Sequence, residues 1–388
     1  MKLSKGGDNV TAHHYDVAVV GGGVIGTAVA FELAKRQHRV AILEKAAMAG
    51  EASSAAAGML GAQSEFSEPS PLVPLALKSR SLMPVLAEEL RERTGIDIGL
   101  VEKGMLKVAT TEEETEELRR HYEFWRATDQ PVRWLTKQEA LELEPHLATE
   151  AIAGAMYIGG DGQVSAPDLA AALASAASSA GAHLYEHTEV LGIRSGAGGH
   201  IVETANGTFA AAAVVIASGA WTARFGAGLG LSLPVYPVKG ECVMVRTAAP
   251  LLQATVFAKS GCYIVPKRGN RLLIGATSTP GTYDRRVSAD GVMNLLHRAS
   301  CLLPDVKQAE WLRAWSGIRP QTKDGLPYIG EHPDRAGLFV AAGHYRNGIL
   351  LSAMTGRLMA DLVERKDPGI DLLPFSLTRH TEKKVGIE

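Results

Sequence analysis

The chain has 388 residues, enough for two domains at roughly 100–200 residues each, and a hydrophobic share of 46% supplies a large core. Lys and Arg number 40 against 42 Asp and Glu, and the net charge of −2 gives no basis for nucleic acid or an anionic membrane surface as partner. Cys242, Cys262 and Cys301 make neither a CxxC pair nor a metal-binding spacing, so a reducing compartment, no disulfide frame and no metal site are expected, each thiol reading as a small buried hydrophobe.

Met1 to His14 is polar, lacks the apolar run of a secretory signal and reads as a loose tail. Tyr15–Val20 is a short apolar β-rich run that ends in glycines. Ile25, Ala28, Val29 and Leu33 then repeat at helical steps, and Arg39–Glu44 is a second buried-type strand. A crossover helix between two strands predicts parallel pairing. From Ala46 to Gln63 the side chains become small, which lets backbone approach backbone or a ligand. Residues 75–93 and 111–127 read as amphipathic helices, with Glu112–Glu117 as a solvated face.

Ser165 to Gly181 has the marks of a capped helix, with Pro167 in its first turn, and leads into a strand over His183–Val190. Phe209–Trp221 is the longest apolar run, too short to span a bilayer, and carries a buried strand at Val214–Ala217. The protein is therefore expected in the cytoplasm, away from membranes. Residues 235–278 alternate, with a hairpin turn at Arg268-Gly269-Asn270, and predict an antiparallel sheet. Leu338–Ala342 is a last strand, followed by a helix from about Ile349 to Glu364.

The fold class is thus α/β, a discontinuous Rossmann-like dinucleotide domain with an inserted, mainly antiparallel (α+β) substrate domain. The first is expected over 14–90, 150–232 and 317–370, the second over 91–149 and 233–316, with tails at 1–13 and 371–388.

Gly21-x-Gly23-x-x-Gly26 lies between the first strand and helix. Gly21 permits the tight turn, Gly23 lets backbone reach a pyrophosphate, and Gly26 allows close helix–sheet packing. The phosphates then meet the N–H groups and positive dipole end of the helix. Glu44 closes the second strand, where a carboxylate accepts from ribose hydroxyls. This motif alone does not separate FAD from NAD. The stretch Ala57-Gly58-Met59 and the turn into a helix near Asn347 favour FAD, since a helix N-terminus beside the flavin pyrimidine edge stabilises the charge of the reduced ring.

GGGVIG near residue 20, SSAAAGML at 53–60, KGECV at 239–243, CYIVPK at 262–267, SGIRPQTKDGLPYIG at 316–330 and GHYRNGILL at 343–351 together are specific. In this combination the chain resembles the bacterial glycine oxidases of thiazole (thiamine) biosynthesis, in the sarcosine oxidase and D-amino acid oxidase group of flavoproteins. The likeness runs from Tyr15 to about Glu364. It implies a homotetramer with non-covalent FAD, because no cysteine lies between the Arg319 and Gly343 motifs, where covalent relatives attach the ring. It implies oxidation of glycine to an imine, which water or thiazole synthesis consumes, with O2 reduced to hydrogen peroxide.

Carried over by position, Tyr263 and Arg319 match substrate-carboxylate contacts, and Arg346 lies close to substrate and flavin. Val24, Ile25, Glu44, Lys45, Ala52, Ser53, Ala57, Gly58, Met59, Val190, His344, Tyr345, Arg346, Asn347, Gly348, Ile349 and Leu350 match FAD contacts. One departure is Ser278, where glycine oxidases can carry a methionine in the pocket wall; the added room leaves sarcosine and D-alanine open as substrates.

An arginine grips a carboxylate through two parallel hydrogen bonds that a lysine cannot reproduce. His344 invites assignment as a general base, but hydride transfer from a neutral amine needs none, so it is assigned to loop structure or flavin contact. The alternatives are a sarcosine or D-amino acid oxidase or dehydrogenase, and, in another class, a flavin-binding subunit without a substrate of its own.

Overall fold

The computed structural model describes residues 13–128, 130–196, 198–258 and 261–380; the expected loose N-terminus lies, up to residue 12, outside them. The first sheet is built on β1 (His13–Val20), whose alternation sends Val17 and Val19 into one apolar layer and Ala18 and Val20 into the other. It pairs in parallel with β2 (Val40–Leu43) and β11 (Gly207–Ile216). Parallel pairing continues to β8 (His183–Tyr185) beyond β2 and to β19 (Leu338–Ala342) beyond β11. An antiparallel β18 (Tyr328–Glu331) forms one edge, and β9 (Val190–Gly196) with β10 (Gly199–Thr204) folds back as a ribbon on β11.

One face of this sheet carries α1 (Val24–Lys35), α3 (Leu72–Thr94), α6 (Ala166–Ser179) and α9 (Gly348–Val363), which share its largest apolar cluster. Small residues bring the helices close: a Cβ at Gly356 would stand 2.8 Å from the Ala28 carbonyl oxygen of α1. Buried Ser79 of α3 enters the α9 ladder, donating to the Leu350 carbonyl at 2.6 Å and accepting from the Met354 N–H at 3.1 Å. Ser79→Ala leaves the buried Leu350 carbonyl and Met354 N–H without this partner, and a loss of about 1–3 kcal/mol in chemical denaturation is expected. An unchanged midpoint would mean that α9 closes its own bonds without help.

The second sheet runs β16 (Thr279–Pro280), β12 (Val235–Arg246), β15 (Arg271–Gly275), β14 (Tyr263–Lys267), β13 (Thr255–Ala258), β4 (Met105–Ala109), β6 (Gly154–Ile158) and β5 (Arg133–Leu135), with β17 (Glu310–Thr322) along the free side of β12. All its pairs are antiparallel except β13 with β4. The hairpin turn at Arg268-Gly269-Asn270 forms as expected, with Gly269 and Asn270 at φ +71° and +55°. Helix α8 (Ala289–Leu302) buries Leu295, Ala299 and Leu302 against β12 and β15, while α4 (Glu112–Arg126) and α5 (Lys137–Leu143) flank β4 to β6. Between the sheets lie α2 (Ala52–Ala55) and the short pair β3 (Met59–Leu60) and β7 (Gly162–Gln163); α7 (Ala223–Leu229) follows β11.

Several expectations are corrected. His183–Val190 is not one strand: after Tyr185 the chain curls over the end of β2, where Thr188 N–H meets the Glu44 carbonyl at 2.7 Å, and β9 leaves with β10. Ser165 begins α6, but its hydroxyl makes no capping bond. Strands β6 and β17 start inside stretches read as, or overlap stretches read as, part of the dinucleotide domain, yet both pair in the second sheet. Residues 371–380 are not a tail, because Phe375 and Leu377 are buried and Arg379 pairs with Asp324 at 2.7 Å. Cys242 and Cys262 are buried, whereas Cys301 is exposed. Among the described residues no helix is long and apolar enough to cross a membrane.

Candidate active site

The carboxyl ends of β1, β2, β11 and β19 open onto a cleft lined by Gly21, Glu44, Ala217, Ser218 and Gly343 among others. A crevice at such strand ends is where open α/β sheets bind ligands. Gly21 holds φ +110° at the turn, which an L side chain rarely adopts, and a Cβ on Gly26 would overlap the Gly21 carbonyl oxygen. That contact seats α1 directly behind the turn. The Val24 N–H donates to Ser53 Oγ at 2.9 Å, so α2 is tied to the beginning of α1.

Buried Glu44 accepts from the backbone N–H of Gly22 at 2.7 Å and of Ala46 at 3.0 Å. Its carboxylate is thereby fixed at the end of β2 while facing the cleft. Nearby, Lys45 Nζ stands 3.2 Å from the centroid of the Trp221 ring, and burial lowers its pKa. At the opposite end, among the described residues no side chain caps α9, and Gly348 and Ile349 of its first turn line the cleft. Tyr345 enters that turn at φ +47°, a strained conformation for a non-glycine residue, held by its N–H to the Pro320 carbonyl at 3.0 Å.

A second cavity adjoins the first, the two sharing Ala52, Ala56, Tyr345, Arg346 and Ile349. Its lining brings together Tyr263 from β14, Arg319 from β17 and Arg346 from the turn before α9, with Ala57, Gly58, Met59, Asn347 and Ser278. The Arg319 guanidinium donates to the Thr277 carbonyl at 3.2 Å. It lies flat on β12, because a Cβ at Gly240 would overlap it. Tyr263 lies on Gly275 in the same manner, its hydroxyl 3.8 Å from Cys242 Sγ. Burial pushes the Tyr263 phenol well above its ordinary range, so it stays protonated and able to donate.

His344 is buried against Thr355, with Nε2 3.2 Å from Oγ1. Burial pushes the imidazole down to about 3, which keeps it neutral at working pH and fits a structural part. Lys267, behind the Ala57–Met59 segment, donates to the Ala57 carbonyl at 2.8 Å, the Val164 carbonyl at 2.8 Å and Gln163 Oε1 at 2.6 Å. Burial pushes its pKa down to about 7, while the three acceptors engage every proton of an ammonium.

Of the residues singled out in the sequence, Gly21, Gly23, Val24, Ile25, Glu44, Lys45, Ala52, Ser53, Val190, His344, Tyr345, Arg346, Gly348 and Ile349 line the first cavity. Gly26 and Leu350 line neither: Gly26 is packed under the turn and Leu350 is in the core, its carbonyl on Ser79. Gly240 and Cys242 went unremarked as site residues, although both sit in the KGECV segment. The Ser218–Trp221 wall and Glu65 also went unnoticed, and nothing local in the sequence marks Glu65.

The glycine turn, the fixed carboxylate at the end of β2 and two helix N-termini along one elongated cleft fit a dinucleotide, and the adjoining arginine-bearing cavity fits a flavin's substrate side. A family model described as DAO, FAD dependent oxidoreductase, matches residues 16–362, and the chain belongs to that family, with FAD as its cofactor. The glycine oxidase of Geobacillus kaustophilus (strain HTA426) is 76% identical over 376 residues, 97% of this chain and 100% of that one. A crystal structure of glycine oxidase from Geobacillus kaustophilus gives a TM-score of 0.94 at 76% identity, covering 96% and 100% of the two chains. The glycine oxidase of Bacillus subtilis (strain 168) is 39% identical over 360 residues, 93% and 96% of the two. A bifunctional protein ThiO/ThiG of Trichormus variabilis is 34% identical over 368 residues, 93% of this chain but 55% of that protein.

Proposed function

We propose that the chain oxidises glycine, with O2 as electron acceptor, to the imine and hydrogen peroxide; water then converts the imine to glyoxylate and ammonia. The observation that carries this reading is a guanidinium with no carboxylate partner among the described residues, beside a protonated buried phenol, in a cavity adjoining the cofactor cleft. The identity to relatives named glycine oxidase supports the same substrate.

In this reading Arg319 grips the substrate carboxylate through a forked pair of hydrogen bonds, and Tyr263 donates a further one. Arg346, paired with Glu65, lines both cavities and stands beside the substrate. The residues of the first cavity, with Ala57, Gly58, Met59 and Asn347, hold FAD without a covalent bond. Bound FAD would supply the two-electron acceptor: the Cα–H would leave as a hydride, the nitrogen lone pair forming the C=N bond with release of an N–H proton, and O2 would carry the electron pair away with two protons as hydrogen peroxide. The protein binds and orients, and no side chain is assigned as general base.

The cofactor part comprises 14–90, about 160–232 and about 323–370, and the substrate part the remainder up to there; strand pairing supports giving β6 and β17 to the latter. The likeness to one part of a bifunctional ThiO/ThiG chain supports a supply of imine to thiazole synthesis, and a homotetramer in the cytoplasm completes the proposal. Ser278 in the wall supports a second reading, in which sarcosine or D-alanine competes with glycine. One methyl group is worth only about 1–3 kcal/mol of discrimination.

Mixing the yellow protein with glycine, sarcosine or D-alanine in the absence of air tests this. Bleaching by glycine, with peroxide formed on re-aeration, is expected, and kcat/KM ranks the three. If no small amino acid bleaches the flavin, the chain binds FAD without oxidising this class.

A further inference from the structure

The second cavity contains two guanidinium groups and one carboxylate. Arg346 Nη2 is 3.0 Å from Glu65 Oε1, and that carboxylate is the main influence holding the Arg346 guanidinium above its ordinary pKa. Among the described residues, Arg319 has only the Thr277 carbonyl. Glu65 ends the turn after β3, fixed by its N–H to the Gly61 carbonyl at 3.2 Å, and Gly61 and Glu65 both line the cavity. Two positive charges against one negative leave a single uncompensated cation. A glycine-like zwitterion satisfies it with one carboxylate. A second carboxylate on the ligand meets Glu65 as a like charge, and finds Arg346 already engaged.

We propose that Glu65 is a specificity-determining residue: by occupying Arg346 it confines the pocket to amino acids with one carboxylate. This rests on the reading of Arg319 as the carboxylate anchor. The reaction itself is unaltered, with Cα–H and N–H hydrogens lost, C=N formed and O2 reduced to hydrogen peroxide. A purely structural ion pair, tying the turn after β3 to the one before α9, is the competing account. Its loss weakens every ligand alike, whereas loss of a charge filter changes the ratio between ligands.

The test uses Glu65→Gln holoenzyme and titrates the visible spectrum of its flavin with malonate and with acetate, a readout that needs no turnover. The affinity ratio of malonate to acetate is expected to rise about tenfold over the parent, as a newly freed guanidinium gains a charge-assisted partner. In Glu65→Gln/Arg346→Gln the gain is expected to vanish. Turnover of D-aspartate against D-asparagine, and of iminodiacetate against sarcosine, distinguishes a second carboxylate on the α-carbon side chain from one on nitrogen. A malonate-to-acetate ratio within threefold of the parent overturns the filter, as does a gain that survives the loss of Arg346. Parent protein that glycine fails to bleach would instead refute the proposed function, and leave the titration ratio to judge Glu65 on its own.

Discussion

Arg319→Ala is expected to raise KM for glycine by two or more orders of magnitude while the protein keeps its flavin. Each charge-assisted hydrogen bond to a carboxylate is worth about 1.5–3 kcal/mol, and two of them correspond to roughly a hundredfold to ten-thousandfold in affinity at about 1.4 kcal/mol per factor of ten. The prediction about the flavin follows from position. Arg319 lies in β17 opposite Val238 and lines the second cavity alone, whereas the cofactor cleft is built on the first sheet. Arg319→Lys is expected to recover only part of the loss, because one ammonium cannot supply the two parallel donors. A KM near that of the parent in the alanine variant would remove Arg319 from the substrate site.

The parts of this site that the sequence made legible are those made by neighbours in the chain. Gly21, Gly23 and Gly26 declare a strand–turn–helix because each meets a local backbone demand, and Glu44 follows one strand later. The β14–β15 hairpin is legible for the same reason, since Gly269 and Asn270 accept the left-handed turn. What was illegible depends on partners far along the chain. Gly154–Ile158 is buried on both faces, and nothing in its own residues tells that it pairs with β4 and β5 in the second sheet. The break at Glu186–Glu189 depends on backbone bonds from His187 and Thr188 to Ala46 and Glu44. Glu65 is an ordinary turn carboxylate until Arg346, far along the chain, comes to lie beside it. The C-terminal stretch is polar enough to read as a tail, and only the pocket that takes Phe375 reveals it as packed.

Gly26→Ala tests the other half of the site. Its new methyl group would overlap the Gly21 carbonyl oxygen, which is backbone and cannot rotate aside. Nor can α1 retreat, since Val24 to Ala34 is nearly all buried and α9 and α6 press on it from behind. Overpacking of a tight core costs about 1–3 kcal/mol, and here the displaced atoms are the turn that carries Gly21 and Gly23 at the cofactor cleft. The variant is therefore expected to purify largely colourless, to bind added FAD at least tenfold more weakly and to melt several degrees lower. Gly228→Ala is the control. It lies within α7, where an added Cβ meets nothing within 4 Å, so it is expected to keep its flavin and to gain up to about 1 kcal/mol from better helix propensity. A Gly26→Ala protein as yellow and as stable as the parent would mean that the turn yields without disturbing the cleft, and that close contact of α1 with the sheet is not what shapes the cofactor site.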